Sequence, residues 1–212
     1  METVERIEGA CGELVLRRDG DHHEIIANGT FLMDTRNGES ERLLVRVAAD
    51  RMPAGGTLLL GGLGVGFSLR AALDHPRVGS VVVVERETAV IEWNRSELAV
   101  HHGDALSDPR VRCVAADLLT WLPGAGRFAA ICLDIDNGPE WTVDPGNAAL
   151  YGSSGLDLLA TALMPGGVLA VWSAGAAPAF ETALANRFPE TENLAIPVPR
   201  GEPDRVFLAG EW

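Results

Sequence analysis

Residues 57–85 restrict the fold more than any other part of the chain. An apolar run at 57–60 leads into Gly61-Gly62-Leu63-Gly64-Val65-Gly66, a helical stretch follows at 67–74, and Val81-Val82-Val83-Val84 ends on Glu85. Short unbroken apolar runs suit strands buried on both faces, as in a parallel sheet covered by helices. Glycines between a strand and a helix let the backbone turn sharply and let a ligand come close, with a helix N-terminus behind it. A glycine pattern alone is weak, and a tight turn that binds nothing is the competing reading. The strand–turn–helix context and the acid some 20 residues on favour a ligand site.

The same alternation continues downstream. Strand-like runs at 110–115, 128–133 and 167–172 are interleaved with helical stretches near 88–98, 118–122, 154–163 and 178–188. Two late strands, near 192–197 and 205–209, have no helix between them and predict a hairpin, hence an antiparallel strand at the sheet edge. The expected fold is α/β, with a Rossmann-like, mostly parallel sheet of about seven strands whose ligands lie beyond the strands' carboxyl ends. Ahead of it, short strands at 13–18, 23–27 and 30–34 are punctuated by Asp19-Gly20-Asp21 and Asn28-Gly29, strong hairpin cues. A helix at 39–50 then carries Leu43, Leu44 and Val47 at helical spacing, and Pro53-Ala54-Gly55-Gly56 closes the region. This predicts a small β-rich part with the first helix at 1–52 and a nucleoside-binding part at 53–212.

Charge narrows the partners. Thirty acidic residues against 17 basic ones give a formal charge of −13, which repels a phosphate backbone and speaks against nucleic acid. A cationic small molecule would be attracted, although acidity also serves plain solubility. No apolar run reaches the roughly 18–20 residues of a membrane span, and the acidic start lacks a signal-peptide core. Cys11, Cys113 and Cys132 are odd in number and widely spaced, so they read as reduced thiols. These features together predict a cytoplasmic protein.

Candidate site residues cluster at predicted strand ends. Glu85 can accept both hydroxyls of a ribose; as an isolated residue it would be a surface charge, and the glycine turn ahead of it favours ribose. Asp117 stands where a carboxylate would receive an adenine amino group, and equally where a helix N-cap belongs. The segment Leu133-Asp134-Ile135-Asp136-Asn137-Gly138-Pro139-Glu140-Trp141 brings several acids to the ligand side, with Asp144 further along. Asn137 to Pro139 suit a turn, which leaves Asp134 unexplained. Mg²⁺ would fit paired acids, but a nucleoside accounts for the same residues and no metal is predicted. Trp141, Tyr151 and Trp172 could form an aromatic wall against a cation, or simply be core or rim. His22-His23 and His101-His102 lack metal spacing and read as surface residues.

LLLGGLGVGFSLRAALDHPRVGSVVVVERETAVIEWNR, with DPRVRCVAADLLTWL, FAAICLDIDNGP and ALMPGGVLAVWS, resembles the spermidine synthases, the polyamine aminopropyltransferases of the class I methyltransferase superfamily. The N-terminal hairpins and NGESERLLVRVA resemble that family's small β domain and first helix. The resemblance implies that Gly62, Gly64, Gly66, Glu85 and Asp117, with Asp134, hold S-adenosylmethionine or its decarboxylated form. It makes Asp134 the catalytic aspartate that orients the attacking amine and helps remove its proton. Asp136, Asn137, Trp141 and Tyr151 would face the acceptor, and a homodimer is implied. The chain departs from the family at Val65, where the turn carries an aspartate, at Ser40-Glu41-Arg42, where it has Tyr-His-Glu, and at Asp134–Pro139, where it has Asp-Ser-x-Asp-Pro. Those departures put methyl transfer to a small-molecule acceptor first, aminopropyl transfer to a diamine second, and a non-catalytic nucleoside-binding protein third.

Overall fold

The computed structural model describes residues 1–198 and 201–211. The chain opens with an antiparallel sheet of β1 (Glu2–Gly9), β2 (Gly12–Asp19), β3 (His22–Ala27) and β4 (Thr30–Asp34), paired in that order. β1 is an addition to the sequence expectation. Only Val4 and Ile7 in ETVERIEG are aliphatic, and the strand is mostly exposed. Its register is set by pairing with β2 from Gly9↔Gly12 to Glu2↔Arg18, and the Trp93 indole N–H donates to Glu5. A half-exposed strand of charged residues carries no periodic apolar signal for a reader to find.

Then follow α1 (Glu39–Arg51), β5 (Gly56–Gly61), α2 (Phe67–Asp74), β6 (Val78–Glu85), α3 (Thr88–Arg95), α4 (Ala99–His102) and β7 (Val111–Ala115). The second half comprises α5 (Leu118–Trp121), β8 (Phe128–Leu133), α6 (Ala148–Tyr151), α7 (Ser153–Ala162), β9 (Leu163–Ser173), α8 (Pro178–Arg187), β10 (Glu190–Ile196) and β11 (Asp204–Gly210). The large sheet has seven strands in the order β10-β11-β9-β8-β5-β6-β7. Its inner pairs are parallel, while β11 runs antiparallel to both β9 and β10. This is the α/β sheet with an antiparallel edge hairpin that the alternation predicts.

Strand residues alternate between two cores. Leu58, Leu60, Val81 and Val83 pack with α1, α2, α3 and the inner face of the small sheet (Leu14, Leu16, Ile25). Leu59, Val84, Ile131 and Leu133 pack with α5 to α8 on the other side. Leu58, Leu59 and Leu60 are all at most 1% exposed, so each contributes about 1.5–3 kcal/mol by burial. α1 packs on α2, β8, β9 and β11, so the large sheet supports this helix, which the expected division at residue 52 groups with the N-terminal strands.

The histidines correct the sequence reading. His23 and His102 are buried, and His23 Nδ1 lies 2.9 Å from His101 Nε2. Their surroundings arise from packing between the small sheet and α4, which residue spacing does not reveal. No described helix is long and apolar enough to cross a membrane.

Candidate active site

The parallel ladder extends one residue past β5. Gly62 N–H donates to Val84 O at 3.0 Å, and Asp134 N–H donates to Gly61 O at 2.9 Å. Gly62 has φ +92°, and a Cβ there would lie 2.2 Å from the Asp134 carbonyl oxygen. The glycine therefore lets the end of β8 lie against the turn. Gly66, at φ +85°, precedes α2 and abuts the His102 ring, where a Cβ would come within 2.4 Å.

One cavity beyond these strand ends is lined by Gly62, Gly64, Glu85, Asp117, Asp134 and Asp136, and the small sheet adds apolar walls from Leu14, Ile25 and Met33. It brings together most residues singled out from the sequence. Gly66 is not among its walls; it shapes the turn.

Glu85 ends β6 with its carboxylate half-buried. One oxygen accepts from Leu63 N–H at 2.9 Å and the other from Glu87 N–H at 2.8 Å. Burial raises its pKa, and those two N–H groups act against the rise. An ionised carboxylate has about four acceptor sites, so both oxygens retain capacity for a diol. Asp117 is the N-cap of α5, accepting from Thr120 N–H at 3.0 Å, and it lines the cavity too. The two sequence readings of this residue are thus compatible in one side chain. Arg86 Nη1 reaches Asp144 at 2.7 Å and Asp117 at 3.7 Å, tying the loop after β8 to the rim.

Asp134 stands at the floor. Ser68, in the first turn of α2, donates its hydroxyl to Asp134 Oδ2 at 3.1 Å. Burial lifts the Asp134 carboxyl to about pKa 6, with the Ser68 bond opposing and the Asp204 charge adding to the rise. Glu41, from the first turn of α1, lines the same cavity and takes a 2.9 Å hydrogen bond from Ser40 Oγ. Its pKa climbs to about 7, through burial first and the Asp134 charge second.

The acceptor-side candidates divide. Asp136, held at φ +57°, accepts from Asn147 Nδ2 at 2.7 Å and lines the main cavity. Asn137 is buried and its carbonyl accepts from Ala174 N–H at 3.0 Å. With Trp141, Ser173, Glu202 and Asp204 it borders a second cavity beside the first. Trp141 is 61% exposed there. Tyr151 lines neither cavity: its ring packs edge-on to Phe180 at 5.6 Å and its hydroxyl donates to Ile135 O at 3.2 Å. Of the three aromatic candidates, Trp172 is the one in the main cavity wall.

Glu41, Ser68 and Asp204 were missed from sequence. Glu41 did leave a signal, because it shares the buried stripe of α1 with Leu44, Val45 and Ala48. A carboxylate on an apolar stripe is out of place unless something polar meets it. Ser68 and Asp204 left none.

A family model described as the spermine/spermidine synthase domain matches residues 41–188. The chain belongs to that family. The polyamine aminopropyltransferase of Mycobacterium tuberculosis is 33% identical over 168 residues, covering 76% of this chain and 31% of its own length. Polyamine aminopropyltransferase 1 of Hyperthermus butylicus is 31% identical over 143 residues, covering 65% of this chain and 47% of its own. The chain thus spans about a third of the Mycobacterium relative and about half of the Hyperthermus one. Among solved structures, a spermidine synthase in complex with the transition-state analogue AdoDATO superposes with a TM-score of 0.81 at 18% identity, covering 98% of this chain and 73% of the other. Spermidine synthase from Thermotoga maritima gives 0.79 at 19% identity, with 98% and 72% covered. At those identities the likeness speaks for the fold, and it matches both sheets described above.

Proposed function

We propose that the protein transfers an aminopropyl group from decarboxylated S-adenosylmethionine to the amine of a small cationic acceptor such as a diamine. Methyl transfer, placed first from the sequence, finds no support among the relatives, which are named as polyamine aminopropyltransferases. The observation that carries the reading is Asp134, half-buried in a cavity whose other end offers Glu85 and Asp117, its carboxyl raised to about pKa 6 by loss of solvent.

In this reading Glu85 takes the ribose hydroxyls, Asp117 the adenine amino group, and Gly62 and Gly64 lie against the nucleoside. Asp136, Asn137 and Trp141 face the acceptor, and Tyr151 acts by holding the Ile135 carbonyl. The neutral amine attacks the propyl carbon bonded to sulfur. The C–S bond breaks with its electron pair passing to sulfur, and the sulfonium leaves as the neutral thioether methylthioadenosine. The new ammonium gives its extra proton to Asp134. A free aspartate near pKa 4 would be a poor base for an alkylammonium near 10. The rise to about 6 narrows that gap, and apolar walls lower the ammonium's pKa from the other side. Because the sulfonium already activates the leaving group, the protein's task is alignment and charge placement. The implied homodimer and cytoplasmic location belong to the same proposal.

Asp134→Asn tests the mechanism. Methylthioadenosine release with a diamine acceptor should fall by about 10²–10⁴-fold, the scale of a general base, while nucleoside affinity stays within a few-fold. Turnover at the parental rate would remove Asp134 from the chemistry.

A further inference from the structure

Glu41 has no part in the steps above, yet it is only 8% exposed and lines the nucleoside cavity with Asp134. Among the described residues no cationic side chain forms an ion pair with it; its bond comes from the neutral Ser40 hydroxyl. The charges that face it are those of Asp134 and Asp204, both negative. A buried carboxylate without a cation is costly, and two that repel each other are more so. Such a pair becomes favourable when a ligand brings the missing positive charge. The glycine turn, Gly61-Gly62-Leu63-Gly64-Val65-Gly66, offers no side-chain charge of its own.

The carboxylates also sort by cavity. Glu41 and Asp134 line the nucleoside cavity, while Asp204 borders the second one on the acceptor side. Of the other carboxylates lining that cavity, Glu85, Glu87 and Asp117 accept backbone N–H groups, Asp136 accepts from Asn147, and Glu13 and Asp144 pair with Arg6 and Arg86. With Asp134 taken up by the reacting centre, Glu41 is the buried carboxylate left for a second cation. The donor's propyl chain ends in one ammonium. We infer that Glu41 receives this ammonium and is the residue that selects the decarboxylated donor over intact S-adenosylmethionine. The intact molecule carries a carboxylate on the same carbon as its ammonium. Beside Glu41 and Asp134 that group meets two like charges, which is discrimination by repulsion as well as attraction. The inference rests on the aminopropyl-transfer reading, and it concerns donor choice alone.

Calorimetric titration of the full chain and its Glu41→Gln variant with both donors, and with methylthioadenosine, separates the possibilities. Methylthioadenosine lacks the aminopropyl group, so equal binding to both proteins certifies a folded variant with an intact nucleoside site. The wild type should prefer the decarboxylated donor. In Glu41→Gln that preference should shrink by at least about tenfold, as expected for loss of one charge-assisted contact. An unchanged preference in the variant would overturn the role of Glu41 while leaving the reaction class standing. A wild type that prefers the intact donor, or binds neither, would overturn both. Should the glutamine variant fail to fold, Glu41→Asp carries the same test: retracting the charge should reduce the preference a few-fold, and an unchanged preference would overturn the inference.

Discussion

The ends of the cavity proposed above for the nucleoside and for group transfer are built differently. At the nucleoside end, Glu85 and Asp117 already accept backbone N–H groups from their own turns, at 2.8–3.0 Å, and Gly62 is locked between Val84 and Asp134. Position there is set by main chain. At the transfer end, Glu41 and Asp134 each accept one serine hydroxyl, and the Asp134 charge acts on Glu41. One end has its carboxylates met by backbone N–H groups before a ligand arrives, whereas at the other, among the described residues, no cationic side chain pairs with Glu41 or Asp134. Preorganised donors and acceptors give specificity for shape, whereas an uncompensated buried charge gives specificity for the countercharge.

That contrast can be broken where the ends meet. In Gly62→Ala the new methyl would sit 2.2 Å from the Asp134 carbonyl at φ +92°, so both ends should suffer. A loss of about 1–3 kcal/mol from the backbone conformation alone is expected, read as a lowered melting temperature, and turnover should drop with it. Full activity and stability would mean that turn and strand end are not coupled.

Glu85→Gln probes the nucleoside end alone. Affinity for methylthioadenosine should fall about ten- to a hundredfold, since a hydrogen-bonded charge is replaced, with the ratio between the two donors unchanged. A shift in that ratio would show that the ends are not separable.

The smallest effect is a pH dependence of stability at the transfer end. Glu41 is raised from 4.5 to about 7 and Asp134 from 3.8 to about 6. Between their ordinary and raised values the folded ligand-free protein holds more protons than the unfolded chain. Stability from these groups is therefore greatest at acid pH and is lost as pH rises through that window. Denaturant titrations from pH 5 to 8 should show this decline, and Glu41→Gln should flatten it. An equal slope in both proteins would contradict the burial assigned to Glu41.

The same contrast explains what the sequence made legible. Glu85 and Asp134 are single acids closing apolar strands, and Gly62 sits in a strand–turn–helix junction, so local pattern is enough to find them. The large sheet was legible for the same reason. Glu41, Ser68 and Asp204 meet only after α1, α2 and β11 pack around β9 and β8, and no local pattern encodes that meeting. Glu41 on the apolar stripe of α1 was the available clue. Tyr151 was assigned to the acceptor because an aromatic residue near a loop reads alike in core and rim; packing on Phe180 decides for the core. β1 escaped because its order comes from partners, β2 and Trp93, and its own residues are mostly charged.

The most direct test of the account is a competition in which intact and decarboxylated S-adenosylmethionine are offered together with one diamine, and the acceptor's mass gain is read. The expected result is an aminopropyl gain with methylthioadenosine as the leaving nucleoside. A methyl gain, with S-adenosylhomocysteine released, would contradict it.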